Sequence, residues 1–89
     1  MYEVTLNTQA QRLYDKLSGR NFERIDDSLE LLKTNPRPQG VRKITGNIYR
    51  IRVGDWRIIY AIYEKDRLVL VGKIVRRGEN TYDRVKELF

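Results

Sequence analysis

The sequence predicts an α+β domain in which an N-terminal strand and a helix hairpin pack on one face of a largely antiparallel twisted sheet, closed by a short C-terminal helix. Three observations carry this. Apolar residues between positions 8 and 34 recur at helical spacing. From Ile48 to Val75 the period drops to two, and Gly54-Asp55 places a tight turn inside that stretch. Eighty-nine residues suffice for one modest core, so residues 1–89 are read as a single domain.

Tyr2-Glu3-Val4-Thr5-Leu6 alternates like a short strand. Thr8-Gln9-Ala10-Gln11 matches a capping box, and Ala10, Leu13, Tyr14 and Leu17 continue it as a helix that Ser18-Gly19 ends. Asn21 is the expected cap of a second helix, with Phe22, Ile25, Leu29 and Leu32 as its apolar stripe and Asp26, Asp27 and Glu30 facing away. Asn35-Pro36-Arg37-Pro38-Gln39-Gly40 breaks the chain, Val41 to Ile44 reads as a short extended piece, and Thr45-Gly46-Asn47 as a turn. Counting out from the two-residue Gly54-Asp55 turn pairs Val53 with Trp56, Arg52 with Arg57, Ile51 with Ile58 and Arg50 with Ile59. A turn at Glu64-Lys65-Asp66-Arg67 with two central residues pairs Ile62 with Val69, Tyr60 with Val71, Arg57 with Ile74 and Asp55 with Arg76. A one-residue slip recruits Arg77 in place of Arg76. Asn80-Thr81-Tyr82-Asp83 is the expected cap of a final helix carrying Tyr82, Val85 and Leu88 on its apolar side.

Composition narrows the chemistry. With no histidine the commonest general acid–base group and metal ligand is missing, and with no cysteine there is neither a disulfide nor a thiolate site. No metal or cofactor is expected. Nor is a membrane partner, because no apolar run is long enough to span a bilayer. The N-terminus lacks a secretory pattern, and the chain is expected in the cytoplasm. A net charge of +6 points to an anionic partner.

That charge is focused by the strand pattern. Alternation sends Tyr49, Ile51, Val53, Trp56 and Tyr60 to the core and gathers Arg50, Arg52, Arg57 and Arg76 on the open sheet face. Charged residues on an exposed sheet face ordinarily just solvate it. This face, however, is built from arginine, with no acid between Tyr49 and Val53, and like charges directly across a ladder repel. Arginine is the side chain suited to bidentate phosphate contact. Glycine-rich phosphate loops, acidic metal clusters and nucleophile elbows are all missing from the sequence.

Tyr49-Arg50-Ile51-Arg52-Val53-Gly54-Asp55-Trp56-Arg57-Ile58-Ile59-Tyr60 resembles the central signature of the RelE/ParE superfamily of toxins from type II toxin–antitoxin systems. The length, the opening strand and helix pair, and the closing Arg-Arg-Gly-Glu-Asn-Thr-Tyr-Asp segment fit RelE-type toxins. What this resemblance implies is a ribosome-dependent endoribonuclease that cleaves mRNA in the A site. Its partners would be a cognate antitoxin, the ribosome and mRNA, and the toxin–antitoxin complex would bind operator DNA through the antitoxin. Carried over residue by residue, Arg50 and Arg52 fall where relatives hold RNA phosphate, commonly with lysines. Arg57 and Arg76 match arginines at the scissile phosphate, and Tyr82 matches a tyrosine that contacts the target nucleotide. Arg77 stands where many relatives have histidine, and it is assigned to phosphate binding.

The chemistry implied is attack of the substrate's 2′-hydroxyl on the adjacent phosphate, leaving a 2′,3′-cyclic phosphate and a 5′-hydroxyl. Arginine stays protonated below pH values of about 12 and cannot act as the base. Nearby positive charge favours a phenolate, which makes Tyr82 the expected acid–base or orienting group, with Glu79 next. Two rivals share the signature: a ParE-like DNA gyrase inhibitor without nuclease activity, and a non-catalytic basic module that binds RNA or an antitoxin.

Overall fold

In the computed structural model, which describes residues 1–78 and 85–89, strand β1 (Glu3–Leu6) leads directly into helix α1 (Thr8–Lys16). The cap lies one residue earlier than the capping box suggested. The Asn7 side-chain oxygen accepts the Ala10 N–H at 2.9 Å, so Thr8 is already helical. Asparagine is at least as good a cap as threonine, and the Asn7 frame places Ala10 wholly inside the core.

Helix α2 (Gly19–Thr34) starts two residues before Asn21. Gly19 adopts φ +57°, which lets the chain reverse over two residues. Asn21 therefore caps nothing. Its side-chain oxygen accepts the Trp56 indole N–H at 3.3 Å, tying α2 to the sheet. Of the expected stripe, Ile25, Leu29 and Leu32 are buried, while Phe22 at its start is half-buried against the Tyr14 ring.

The remaining elements are β2 (Arg42–Thr45), β3 (Ile48–Val53), β4 (Trp56–Tyr63), β5 (Leu68–Arg76) and a 3₁₀ turn at Val85–Leu88. They form one five-stranded sheet in the order β1-β5-β4-β3-β2, antiparallel except for β1 beside β5. The expected final α-helix is a 3₁₀ turn where the structure describes it, and its proposed cap, Asn80 to Asp83, lies outside the described residues.

The β3–β4 register is the one the Gly54-Asp55 turn dictates, with Val53 opposite Trp56 and Arg52 opposite Arg57. Gly54, at φ +60°, supplies the left-handed first turn residue that this hairpin needs. The β4–β5 register follows the expectation only through Tyr60 and Val71. A bulge at Gly72 then inserts one residue, so Ile59 meets Lys73, Arg57 meets Val75 and Trp56 meets Arg76. The pairings of Arg57 with Ile74 and Asp55 with Arg76 are thus corrected. A Cβ at position 72 would lie 2.6 Å from the Phe89 ring, so a larger residue here would collide with the C-terminal segment.

Two apolar clusters sandwich the sheet. On the helix side Trp56, Ile58, Tyr60 and Ile62 of β4 pack with Ile25, Leu29 and Leu32 of α2 and with Val69, Val71 and Ile74 of β5. On the far side Ile48, Ile59 and Ala61 lie under Val85, Leu88 and Phe89. The far face is therefore graded from arginine at the Gly54-Asp55 end to apolar at the other.

Polar bonds pin the loops to this core. The buried Tyr60 hydroxyl donates to the Pro36 carbonyl at 2.8 Å, and burial pushes its phenol pKa up. Glu64 accepts from the Tyr2 hydroxyl and pairs with Arg37, contacts that hold its carboxyl below the usual range.

Two stability experiments follow from these bonds. Tyr60→Phe leaves the Pro36 carbonyl without its donor and should cost about 1–2 kcal/mol, read as a lower urea midpoint with unchanged slope. The Tyr14 hydroxyl donates to Asp26 at 2.7 Å, a bond that together with burial pushes its pKa up to about 12. A raised folded-state value favours the native state fully below the unfolded tyrosine pKa of about 10, and the benefit is lost as pH rises toward 12. Stability should therefore fall over that interval, and less steeply in Tyr14→Phe.

Candidate anion-binding site

At the Gly54-Asp55 end of the sheet the far face carries guanidinium groups on three adjacent strands. Arg52 of β3 lies directly opposite Arg57 of β4, and Arg50 opposite Arg42 of β2. Arg42, Arg50 and Arg52, with Gly40, line a concavity of about 430 Å³. No acid among the described residues contributes to that lining. Among the described residues Arg42, Arg50 and Arg52 make no ion pair, since the pairs present are Lys33–Glu30 and Arg37–Glu64. Arg57 sits half-buried next to them, with Val75 of β5 on its other side.

Such an arrangement opposes folding. A like-charged cross-strand pair such as Arg42 with Arg50, neither of which has an ion-pair partner among the described residues, destabilises the sheet by about 0.2–1 kcal/mol. A dianionic phosphate among them removes that penalty and gains charge-assisted hydrogen bonds. Clustered fixed donors can also stabilise charge that grows during a reaction.

Of the expected site residues, Arg50, Arg52 and Arg57 share this face. Arg76 does not. The Gly72 bulge turns it toward the helix side, where its guanidinium lies 4.7 Å from the centre of the Trp56 ring in a cation–π contact. The residue that the shifted register carries to the arginine side is Arg77, whose backbone N–H donates to the Asp55 carbonyl at 2.6 Å. Tyr82 and Glu79 lie outside the described residues.

Arg42 went unrecognised in the sequence. Counting back from the Thr45-to-Ile48 pair in regular register would set it against Ile51, on the apolar side. An irregularity between Lys43 and Thr45 moves it opposite Arg50 instead. The available signal was the excess of basic residues on both sides of the Thr45-Gly46-Asn47 turn.

Comparison with known proteins gives a consistent set. The family described as the ParE toxin of the type II toxin–antitoxin system parDE matches residues 2–81. A Methanocaldococcus jannaschii protein provisionally named toxin RelE1 is 28% identical over 81 residues, spanning 85% of this chain and 90% of that protein. A chain of the archaeal RelE–RelB complex from Pyrococcus horikoshii OT3 superposes with a TM-score of 0.75 at 27% identity, covering 89% of this chain and 98% of that one. The isolated E. coli RelE toxin shares the fold over 100% of both chains, with a TM-score of 0.78 at 17% identity.

The repulsion in the arginine cluster is directly measurable. Arg52→Thr should leave the protein as stable as the parent or raise its stability by up to about 1 kcal/mol. Inorganic phosphate should raise the melting temperature of the parent more than that of the variant. Equal shifts in both would show that the cluster does not hold the anion.

Proposed function

Because the chain belongs to the RelE/ParE superfamily of type II toxin–antitoxin toxins, we propose that it is a toxin that cleaves mRNA in the ribosomal A site and is neutralised by a cognate antitoxin. The observation that supports this most is the arginine face on β2, β3 and β4, whose concavity is lined by Arg42, Arg50 and Arg52 with no acid among the described residues. A protein that inhibits by docking to another protein has no need for guanidinium groups set against one another, whereas one that grips a phosphodiester does.

In this reading the substrate's 2′-hydroxyl attacks the adjacent phosphorus and the 5′-oxygen departs, leaving a cyclic phosphate. Arg42, Arg50 and Arg52 hold flanking phosphates. Arg57, at the centre of the cluster, stabilises the additional negative charge of the phosphorane, and one such donor is worth roughly 3–4 kcal/mol, or two to three orders of magnitude in rate. Arg77 extends the phosphate contacts at the end of the sheet. Arg76 is proposed as a second arginine on the scissile phosphate, reached round the sheet end from its place on Trp56. Tyr82 is proposed to orient the nucleotide or move a proton, with Glu79 as the other candidate. Binding of operator DNA belongs, in this proposal, to the antitoxin.

The match to the ParE toxin family favours a second reading, inhibition of DNA gyrase without RNA chemistry. One experiment separates them. Purified protein is added to a translating ribosome system with primer extension on the mRNA, and in parallel to a gyrase supercoiling assay. We expect A-site cleavage by the parent and at least a hundredfold loss in Arg57→Ala, with melting temperature unchanged. Gyrase inhibition without cleavage, or full cleavage by a folded Arg57→Ala protein, would overturn the assignment.

A further inference from the structure

The far face is not the only basic concavity. Strand β1 pairs with β5 only as far as Val71, and helix α1 lies against the rest of that edge. Between them is a cleft of about 440 Å³, whose lining includes Arg12 and Lys16 from α1, Lys73 and Arg76 from β5, and the buried Trp56 at its floor. Arg12 and Lys16 are one helical turn apart and therefore project side by side. Both are exposed, and no acid among the described residues lines the cleft. Among the described residues Arg12, Lys16 and Lys73 make no ion pair.

We propose that this α1–β5 cleft is a second contact for the phosphate backbone of single-stranded RNA, separate from the arginine face. The inference rests on RNA being the ligand of this protein, and it deepens that reading by giving the RNA a path. Arg76 stands over Trp56, the strand partner at its own end, while the next pair along is Arg57 with Val75. Cations of the cleft and of the arginine face thus meet round the end of the sheet. They form a track from Arg12 and Lys16 through Arg76, Arg77 and Arg57 to Arg52, Arg50 and Arg42. From β5 to β2 the track crosses four strands, and at about 4.8 Å spacing it is roughly 14 Å across. A run of cations carried across successive strands, with no acid among the described lining residues of either concavity, suits a polymer with one charge per residue better than an acidic peptide, whose carboxylates come in patches.

Trp56 supplies a built-in reporter, being the sole tryptophan of the chain and on the cleft side of the sheet. The test titrates the full chain with a 15-nucleotide single-stranded RNA carrying 2′-O-methyl groups throughout, so that no 2′-hydroxyl is available for cleavage. Trp56 emission and fluorescence anisotropy of the labelled RNA are read at several salt concentrations. In the parent we expect a saturable change in Trp56 emission. In the Arg12→Gln/Lys16→Gln double variant that change should be lost, affinity should drop about tenfold, and the log–log salt slope should shrink by about 1.4, corresponding to two phosphate contacts. The Arg50→Gln/Arg52→Gln double variant should bind more weakly yet keep the Trp56 response. Unchanged affinity and slope in a folded Arg12→Gln/Lys16→Gln protein would overturn the proposal, as would a Trp56 response abolished only by the arginine-face variant. So would a stronger Trp56 response to poly-glutamate at equal charge, which would make the cleft a surface for an acidic protein. Because the RNA is uncleavable, a protein that shows the Trp56 response but cuts no mRNA would sink the nuclease reading alone.

Discussion

The single inserted residue at Gly72 is the constraint on which the far half of the molecule depends. Up to Val71, β5 runs in the register its turn with β4 sets, and beyond Gly72 it runs one residue out of step. Strand side chains alternate with a period of two, so one extra residue exchanges the faces of everything that follows. Ile74 turns inward onto Ile58 and completes the core beneath α2, while Val75 turns outward beside Arg57. The same residue leaves room for Phe89, whose ring occupies the space a side chain at 72 would need. Register, core closure and docking of the C-terminal segment are thus coupled through one missing side chain.

The sequence made legible those parts of the fold whose determinants are local. A two-residue turn with glycine first allows one register, and the β3–β4 hairpin follows it pair for pair. The helical stripe of Ile25, Leu29 and Leu32 is equally local, and it is buried. What failed were choices settled by tertiary contact. Asn7 and Thr8 compete for one cap on nearly equal terms, and burial of Ala10 decides between them. Asn21 looks like a cap until Trp56 is folded against it. Neither bulge, at Gly72 or between Lys43 and Thr45, could be placed from the sequence, because no periodicity announces a single added residue. In consequence the centre of the arginine face, Arg50, Arg52 and Arg57, could be read from sequence, while its margins could not: Arg42 joins it unannounced and Arg76 leaves it.

Stability and binding pull against each other on this face. The apolar end, Ile48, Ile59 and Ala61, is sealed by Val85 and its neighbours and contributes to the core. At the other end two arginine pairs oppose the pairing of the very strands that carry them. Strands β3 and β4 tolerate this because their opposite faces pack into the core. Ile58 and Tyr60 are fully inaccessible, and a buried side chain of that size contributes about 1.5–3 kcal/mol, more than the repulsion removes. The centre of the charge cluster is therefore carried on strands whose other face is anchored in the core.

Proton transfer sets the last limit on what this scaffold can do. A chain without histidine must move protons with tyrosine or carboxylate, and most of its well-placed phenols are committed elsewhere. Tyr14 is held protonated by its bond to Asp26, Tyr2 by its bond to Glu64, and Tyr60 by burial beneath Pro36. Each of those environments raises the cost of a phenolate, so none of the three suits a general base, and all three lie on or behind the helix side of the sheet. A phenol serving the arginine face would instead feel the guanidinium groups, whose positive charge and donated hydrogen bonds both favour the phenolate. The fold thus withdraws Tyr2, Tyr14 and Tyr60 from proton transfer by carboxylate neighbours or by burial, and leaves the cationic face as a place where a phenol could give up its proton.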